Sequence, residues 1–142
     1  MHRVALIIPI NKDKKILLQH RSPDATIKPD HWAFFGGHIE EGENAEDALR
    51  REFQEELGVA VEFPKFFKHD IIYEPIRNKE EKVERFFYIT LLDSNAADLK
   101  KQQQEGDNLG FFSRDEIETL NIASSDLEIL YQIFDTIDTL LP

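Results

Sequence analysis

Cysteine is absent from the 142 residues. That excludes disulfides, a thiol nucleophile and thiolate metal ligation, and it is compatible with a reducing cytoplasm. Long apolar runs are absent too: nothing approaches the roughly 18 consecutive apolar residues of a membrane span. The N-terminal run from Val4 to Ile10 is short, is broken by Pro9, and lacks the length and cleavage site of a signal peptide. The chain is therefore expected in the cytoplasm, without a membrane partner. Positive charge is scarce, with 17 Lys and Arg against 28 Asp and Glu and a net charge of −11. A surface of that sign repels nucleic-acid backbones and anionic lipid. A phosphate-bearing ligand would need a few placed cations or a divalent metal. Repeats, low-complexity tracts and Pro/Gly/Ser linkers are missing as well. The length fits one domain, residues 1–142, able to bury a sizeable core.

Strands are expected over Arg3 to Ile10 and Lys15 to His20, joined by the polar turn Asn11-Lys12-Asp13-Lys14 as a hairpin. Pro23 to Asp30 reads as a loop, and His31 to Phe35 as a short strand ending at Gly36-Gly37. Asn44, with Asp47 three residues on, is a plausible N-cap, and Gly58 is a natural stop, so a helix is predicted between them. Val59 to Phe63 and Phe66 to Tyr73 read as strand, Glu74 to Lys82 as a charged hairpin loop, and Val83 to Leu92 as a buried strand. Leu109 to Phe112 is another short strand. Ser113 with Glu116, and Ser125 with Glu128, are capping-box patterns that would open two more helices. In the second of these, Leu127, Leu130, Tyr131, Phe134, Ile137 and Leu141 fall on one face. The sum is a mixed sheet with about three helices.

The chemistry is concentrated between Gly36 and Val59. On a wheel of about 100° per residue, Ala45, Ala48, Leu49, Phe53 and Leu57 form an apolar arc, opposed by Asp47, Arg50, Arg51 and Gln54. Glu52 and Glu56 fall inside the apolar arc, one turn apart, and Glu55 lies at its edge. A solvated acidic face is the ordinary meaning of such glutamates, but these interrupt the buried side. A carboxylate aimed at a core is costly unless compensated, and two neighbouring ones repel each other. A divalent cation removes both problems, and oxygen-only ligands favour hard ions such as Mg²⁺ or Mn²⁺. Gly36-Gly37 ahead of the helix allows close approach of a ligand and could place a backbone carbonyl beside the metal.

This segment resembles the Nudix box, G-x5-E-x7-R-E-U-x-E-E-x-G-U with U apolar. Gly37, Glu43, Arg51, Glu52, Phe53, Glu55, Glu56, Gly58 and Val59 satisfy every fixed position without a gap. The resemblance implies an α/β fold, the Nudix-type α/β/α sandwich around a central mixed sheet. It also implies water attack on a phosphorus of a nucleoside diphosphate linked to another moiety, with Mg²⁺ or Mn²⁺ as cofactor. Glu52, Glu55, Glu56 and the Gly37 carbonyl would ligate the metal, Glu52 would orient or deprotonate the water, and Glu43 would orient the loop and Arg51. Relatives of that kind often add an acidic ligand from a later loop. Glu105 is the first candidate and Asp107 the second, against the plain alternative of a polar loop. The implied partner is a small nucleotide-type molecule such as a nucleoside triphosphate, a nucleotide sugar or an ADP-ribose-like compound. A homodimer is compatible with this.

Substrate choice is less legible. His31 and Trp32 could line the pocket, or Trp32 could simply pack. Pro75 faintly resembles a marker of ADP-ribose pyrophosphatases, and Tyr73, more faintly, one of dinucleoside polyphosphate hydrolases. Arg21, Lys28 and Arg77 are candidate phosphate contacts. His20, His38 and His69 lack metal-ligand spacing and are assigned no role. Two other function classes compete: a non-catalytic nucleotide-binding sensor or regulator on the same fold, and an isoprenoid diphosphate isomerase. The isomerase is opposed by the missing cysteine nucleophile.

Overall fold

The structure, a computed structural model, describes residues 1–140. Its strands are β1 (His2–Ile10), β2 (Ile16–His20), β3 (Trp32–Ala33), β4 (Phe35–His38), β5 (Lys65–Ile76), β6 (Lys79–Leu91) and β7 (Asn108–Phe112). The helices are α1 (Ala45–Leu57), α2 (Ala96–Gln102), α3 (Arg114–Ile117) and α4 (Ser124–Leu140). Strand β1 is the axis of one mixed sheet ordered β3-β2-β1-β6-β5, in which β4 also pairs with β1 and β7 with β2. It runs parallel to β6 along its whole length and antiparallel to β4 and β2.

The period-2 alternation of β1 sends side chains to two cores. Ala5 and Ile7 pack with Leu17, Phe35, the α1 residues Ala48, Leu49, Phe53 and Leu57, and Leu99 of α2. Ile8 and Ile10 pack with Phe87, Ile89, Ile117 of α3, and Ile129, Leu130, Ile133 and Ile137 of α4. Helices therefore cover both faces, as the expected α/β/α sandwich requires. Among the described residues no helix is long and apolar enough to cross a membrane.

Several local expectations are corrected. The segment from Val59 to Phe63 is irregular rather than strand, and Phe63 takes a left-handed φ of 50° with its side chain 91% exposed. The hairpin loop expected over Glu74 to Lys82 shrinks to Arg77-Asn78, both left-handed, since Ile76 pairs with Lys79. This two-residue geometry matches the right-handed twist of the flanking strands, and the charged residues decorate the strands instead. Strand β4 continues through Gly36-Gly37 rather than ending there. Helix α2 was not expected; only Leu99 of it is buried, so its sequence carries almost no apolar period. The Ser113–Glu116 capping box is present, whereas α4 begins at Ser124 and takes Ser125 inside its first turn. The buried face of α4 is Asp126, Ile129, Leu130, Ile133 and Ile137, with Leu127, Tyr131 and Phe134 only flanking it. Leu141 lies outside the described residues.

Candidate active site

Helix α1 is set by its ends. The Asn44 side chain accepts a hydrogen bond from the Asp47 amide at 2.8 Å, and Gly58 closes the helix with a left-handed φ of 67°, both as expected. Packing Phe53 and Leu57 into the core turns Glu52 and Glu56 toward the sheet. Antiparallel pairing with β1 brings β4 underneath, Gly37 beside Ala5. The glycines are needed for this approach. A Cβ on Gly36, whose φ is 144°, would meet the Ala5 carbonyl oxygen at 2.1 Å, and one on Gly37 would meet the Glu52 carboxyl carbon at 2.4 Å. The Glu52 carboxylate thus lies on the bare backbone of Gly37.

Arg51 holds this arrangement from outside. Its Nε and one terminal nitrogen donate to the two oxygens of Glu43 at 2.8 and 3.0 Å. It also donates to the His38 carbonyl at 3.1 Å and to Glu52 Oε1 at 2.9 Å. The planar guanidinium supplies all four contacts from one rigid fork. Glu43 in turn accepts from the Glu40 amide. The Arg51 hydrogen bond, and that amide after it, hold the Glu43 carboxyl down to a pKa of about 2. This is the orienting role expected of Glu43.

Glu56 is different. It is 8% exposed, and both carboxylate oxygens accept from the Glu105 amide at 2.9 Å. The loop after α2 therefore closes directly over it. Burial pushes its pKa from 4.5 to about 7, against the Glu105 amide, and the charges of Glu105 and Glu52 push the same way. The Glu52 carboxyl is also raised, first by burial, with Glu55 and Glu105 adding and Arg51 opposing. The pair is thus short of positive charge, which is the state that a hard cation relieves. Oxygen donors alone fit such an ion.

The expected site residues are not all gathered. Gly37, Glu52 and Glu105 line one cleft of about 250 Å³ together with Arg21 and Lys28. Glu55 is exposed, 3.6 Å from Arg51. Among the described residues no three acidic or histidine side chains form a metal cage. Asp107, the second loop candidate, is taken by His20 Nδ1 at 2.6 Å, which gives that histidine a structural partner. Arg21 is the basic residue whose charge draws Glu56 down, while Arg77 sits at the hairpin tip beside a separate depression. Trp32 packs edge-on against His20 and Phe112, and His31 contacts the Pro29 carbonyl; neither lines the cleft. Tyr73 and Pro75 point outward on β5, whereas Glu74 between them points in.

Asp126, Glu74 and Arg85, which also line this cleft, were missed by sequence reasoning. For Asp126 a signal was present: it precedes Ile129, Leu130 and Ile133 by three, four and seven residues, so it interrupts an apolar stripe just as Glu56 does.

Comparison with known proteins bears on the family and the fold. A family model described as NUDIX domain matches residues 1–133. A curated relative, nucleoside triphosphatase NudI of Escherichia fergusonii, is 44% identical over 59 residues, which are 41% of this chain and 42% of that protein. The match thus spans about two fifths of that relative's length. A MutT protein from Bacillus halodurans superimposes with a TM-score of 0.74 at 24% identity, covering 94% of this chain and 82% of that one. The NUDIX domain of Shewanella oneidensis NrtR, solved with ADP ribose, gives 0.72 at 15% identity over 95% and 87%. At these identities the two solved structures establish the fold alone.

Proposed function

This chain belongs to the Nudix family, and from that premise we propose that it is a cytoplasmic pyrophosphohydrolase. It cleaves a nucleoside diphosphate linked to another group, with a nucleoside triphosphate as first choice and a nucleotide sugar or ADP-ribose-like compound next. The observation that carries this reading is the Glu52–Glu56 pair. Both carboxyl groups are withdrawn from water and raised in pKa; Glu52 is set against the bare backbone of Gly37 at the edge of a cleft, and Glu56 lies behind it under the Glu105 amide. A helix with no ligand to bind has little reason to bury charge in that way.

Glu52, Glu56 and Glu105, with Glu55 and the Gly37 carbonyl, would hold Mg²⁺ or Mn²⁺, which would supply charge neutralisation at phosphate and a more acidic water. The chain's own residues do the rest. Glu52 orients the attacking water and accepts its proton. Arg51 keeps Glu52 aligned while Glu43 fixes Arg51. Arg21, held by its Nε on the Ile27 carbonyl at 2.6 Å, offers the remaining guanidinium donors to a phosphate oxygen. The Glu105 amide keeps Glu56 in place from the loop side.

The test is a panel of nucleoside triphosphates, nucleotide sugars and ADP-ribose with Mg²⁺, products identified by mass. Cleavage between phosphates, abolished by EDTA and restored by Mg²⁺ or Mn²⁺, is expected. Full activity in chelator contradicts the reading. Tight nucleotide binding without any turnover favours the sensor class instead.

A further inference from the structure

The cleft has a second group of charged side chains, on the wall formed by β5, β6 and α4. Arg85 is 1% exposed and rigidly held. It donates to both oxygens of Asp70 at 2.8 and 2.7 Å and to Asp126 Oδ1 at 2.6 Å, and it lies over the Phe87 ring at 4.8 Å. This occupies one oxygen of Asp126. Its other oxygen, Oδ2, and Oε1 of Glu74 are buried and accept no hydrogen bond. Both residues are more than nine-tenths buried, and both line the cleft that Glu52 and Gly37 share. Lys28 Nζ sits 2.9 Å from each of the two oxygens. These are ionic contacts without hydrogen-bond directionality.

The two acceptors stand on fixed elements, Glu74 on β5 and Asp126 on the first turn of α4. The cation comes from a loop. Lys28 has a left-handed φ of 49° and Asp30 one of 61°, a conformation that non-glycine residues adopt only at a cost. Buried carboxylate oxygens without a directed hydrogen bond are rare in native structures. Here two of them converge inside a ligand cleft, held only by the charge of the Lys28 ammonium between them.

We propose that Glu74 and Asp126 are the subsite that reads the base, accepting two adjacent N–H donors, and that Lys28 Nζ keeps their place until such an edge enters. Among the common bases only guanine has two adjacent N–H donors on one edge, the ring N1–H and the 2-amino group. Adenine and cytosine set an acceptor beside their amino group, and uracil sets its single N–H between two carbonyls. Either arrangement would face a carboxylate with a lone pair. The inference rests on the nucleotide reading above and narrows it to guanine nucleotides.

The test compares kcat/KM for GTP, ITP and XTP with Mg²⁺, and calorimetric binding of GMP and IMP. ITP and IMP lack the 2-amino group, and XTP carries an oxygen there. A lost hydrogen bond to a charged acceptor predicts that GTP exceeds ITP by roughly 10- to 100-fold, with XTP poorer still. Glu74→Gln, which preserves shape, should bring GTP and ITP within about 3-fold of one another while the thermal melt confirms the fold. Lys28→Met removes the competing cation and should tighten GMP binding. A wild type indifferent to GTP and ITP, a ratio unchanged in Glu74→Gln, or weaker GMP binding in Lys28→Met would each overturn the proposal while leaving hydrolysis intact. Absence of turnover on every nucleotide would overturn the hydrolase reading itself, and this one with it.

Discussion

Replacing Glu56 by glutamine should stabilise the metal-free protein while disabling it. Burial holds the Glu56 carboxyl at a pKa of about 7, against 4.5 when exposed. That difference corresponds to roughly 3 kcal/mol in favour of the neutral side chain. Glutamine is neutral at every pH, but it offers the Glu105 amide one oxygen where the carboxylate offers two, a loss of about 1 kcal/mol. The net gain near pH 8 is about 2 kcal/mol, or roughly 4–8 °C in Tm for a chain of this size. The sign follows from linkage. Between pH 4.5 and 7 the folded wild type binds the Glu56 proton more tightly than the unfolded chain does. Its stability therefore falls as pH rises through that window. The variant lacks this component, so its standing should rise by about 3 kcal/mol across the window, from a deficit of about 1 kcal/mol near pH 4.5 to its full advantage above pH 7. Melts of both proteins in EDTA across that range read it directly. A variant less stable at pH 8, or an offset independent of pH, would refute the reasoning. With Mg²⁺ present the same substitution should cut turnover by at least about 100-fold, and a smaller loss would count against Glu56 as a ligand.

Gly37→Ala places a Cβ 2.4 Å from the Glu52 carboxyl carbon and must displace that group; Mn²⁺ affinity measured by calorimetry should fall at least about 10-fold, while circular dichroism stays native. Arg51→Lys keeps the charge but loses the fork that joins Glu43, His38 and Glu52, so kcat should drop by roughly 10- to 100-fold with KM little changed; equal rates would make Arg51 mere surface.

What could be read in advance follows from how local each signal is. The limits of α1 were legible because Asn44 and Gly58 act on their own helix. Glu52 and Glu56 were legible because their positions contradict the apolar face they sit on. The β5–β6 turn was not, because charge marks exposure rather than loop, and exposed strand faces here carry Lys79, Glu80 and Lys82. Helix α2 has a single buried residue, too few to define a period. The group of Lys28, Glu74, Arg85 and Asp126 joins a loop, the β5–β6 hairpin and α4, which are far apart in the chain, and only the assembled fold brings them together. Within that group Lys28 was singled out only as a phosphate contact, and Asp126 left a trace in the apolar stripe it interrupts. The same lesson holds for the loop candidates: Glu105 and Asp107 are two residues apart, yet one lines the cleft and the other is paired with His20.

The central claim is that Glu52, lying against Gly37, and its neighbour Glu56 together hold a divalent cation. A crystal soaked in Mn²⁺, with anomalous scattering to locate the ion, tests it most directly. The account predicts a peak at roughly 2.0–2.3 Å from oxygens of both glutamates and from the Gly37 carbonyl. Saturating Mn²⁺ that leaves Glu52 on Arg51, Glu56 on the Glu105 amide and no ion between them would contradict it.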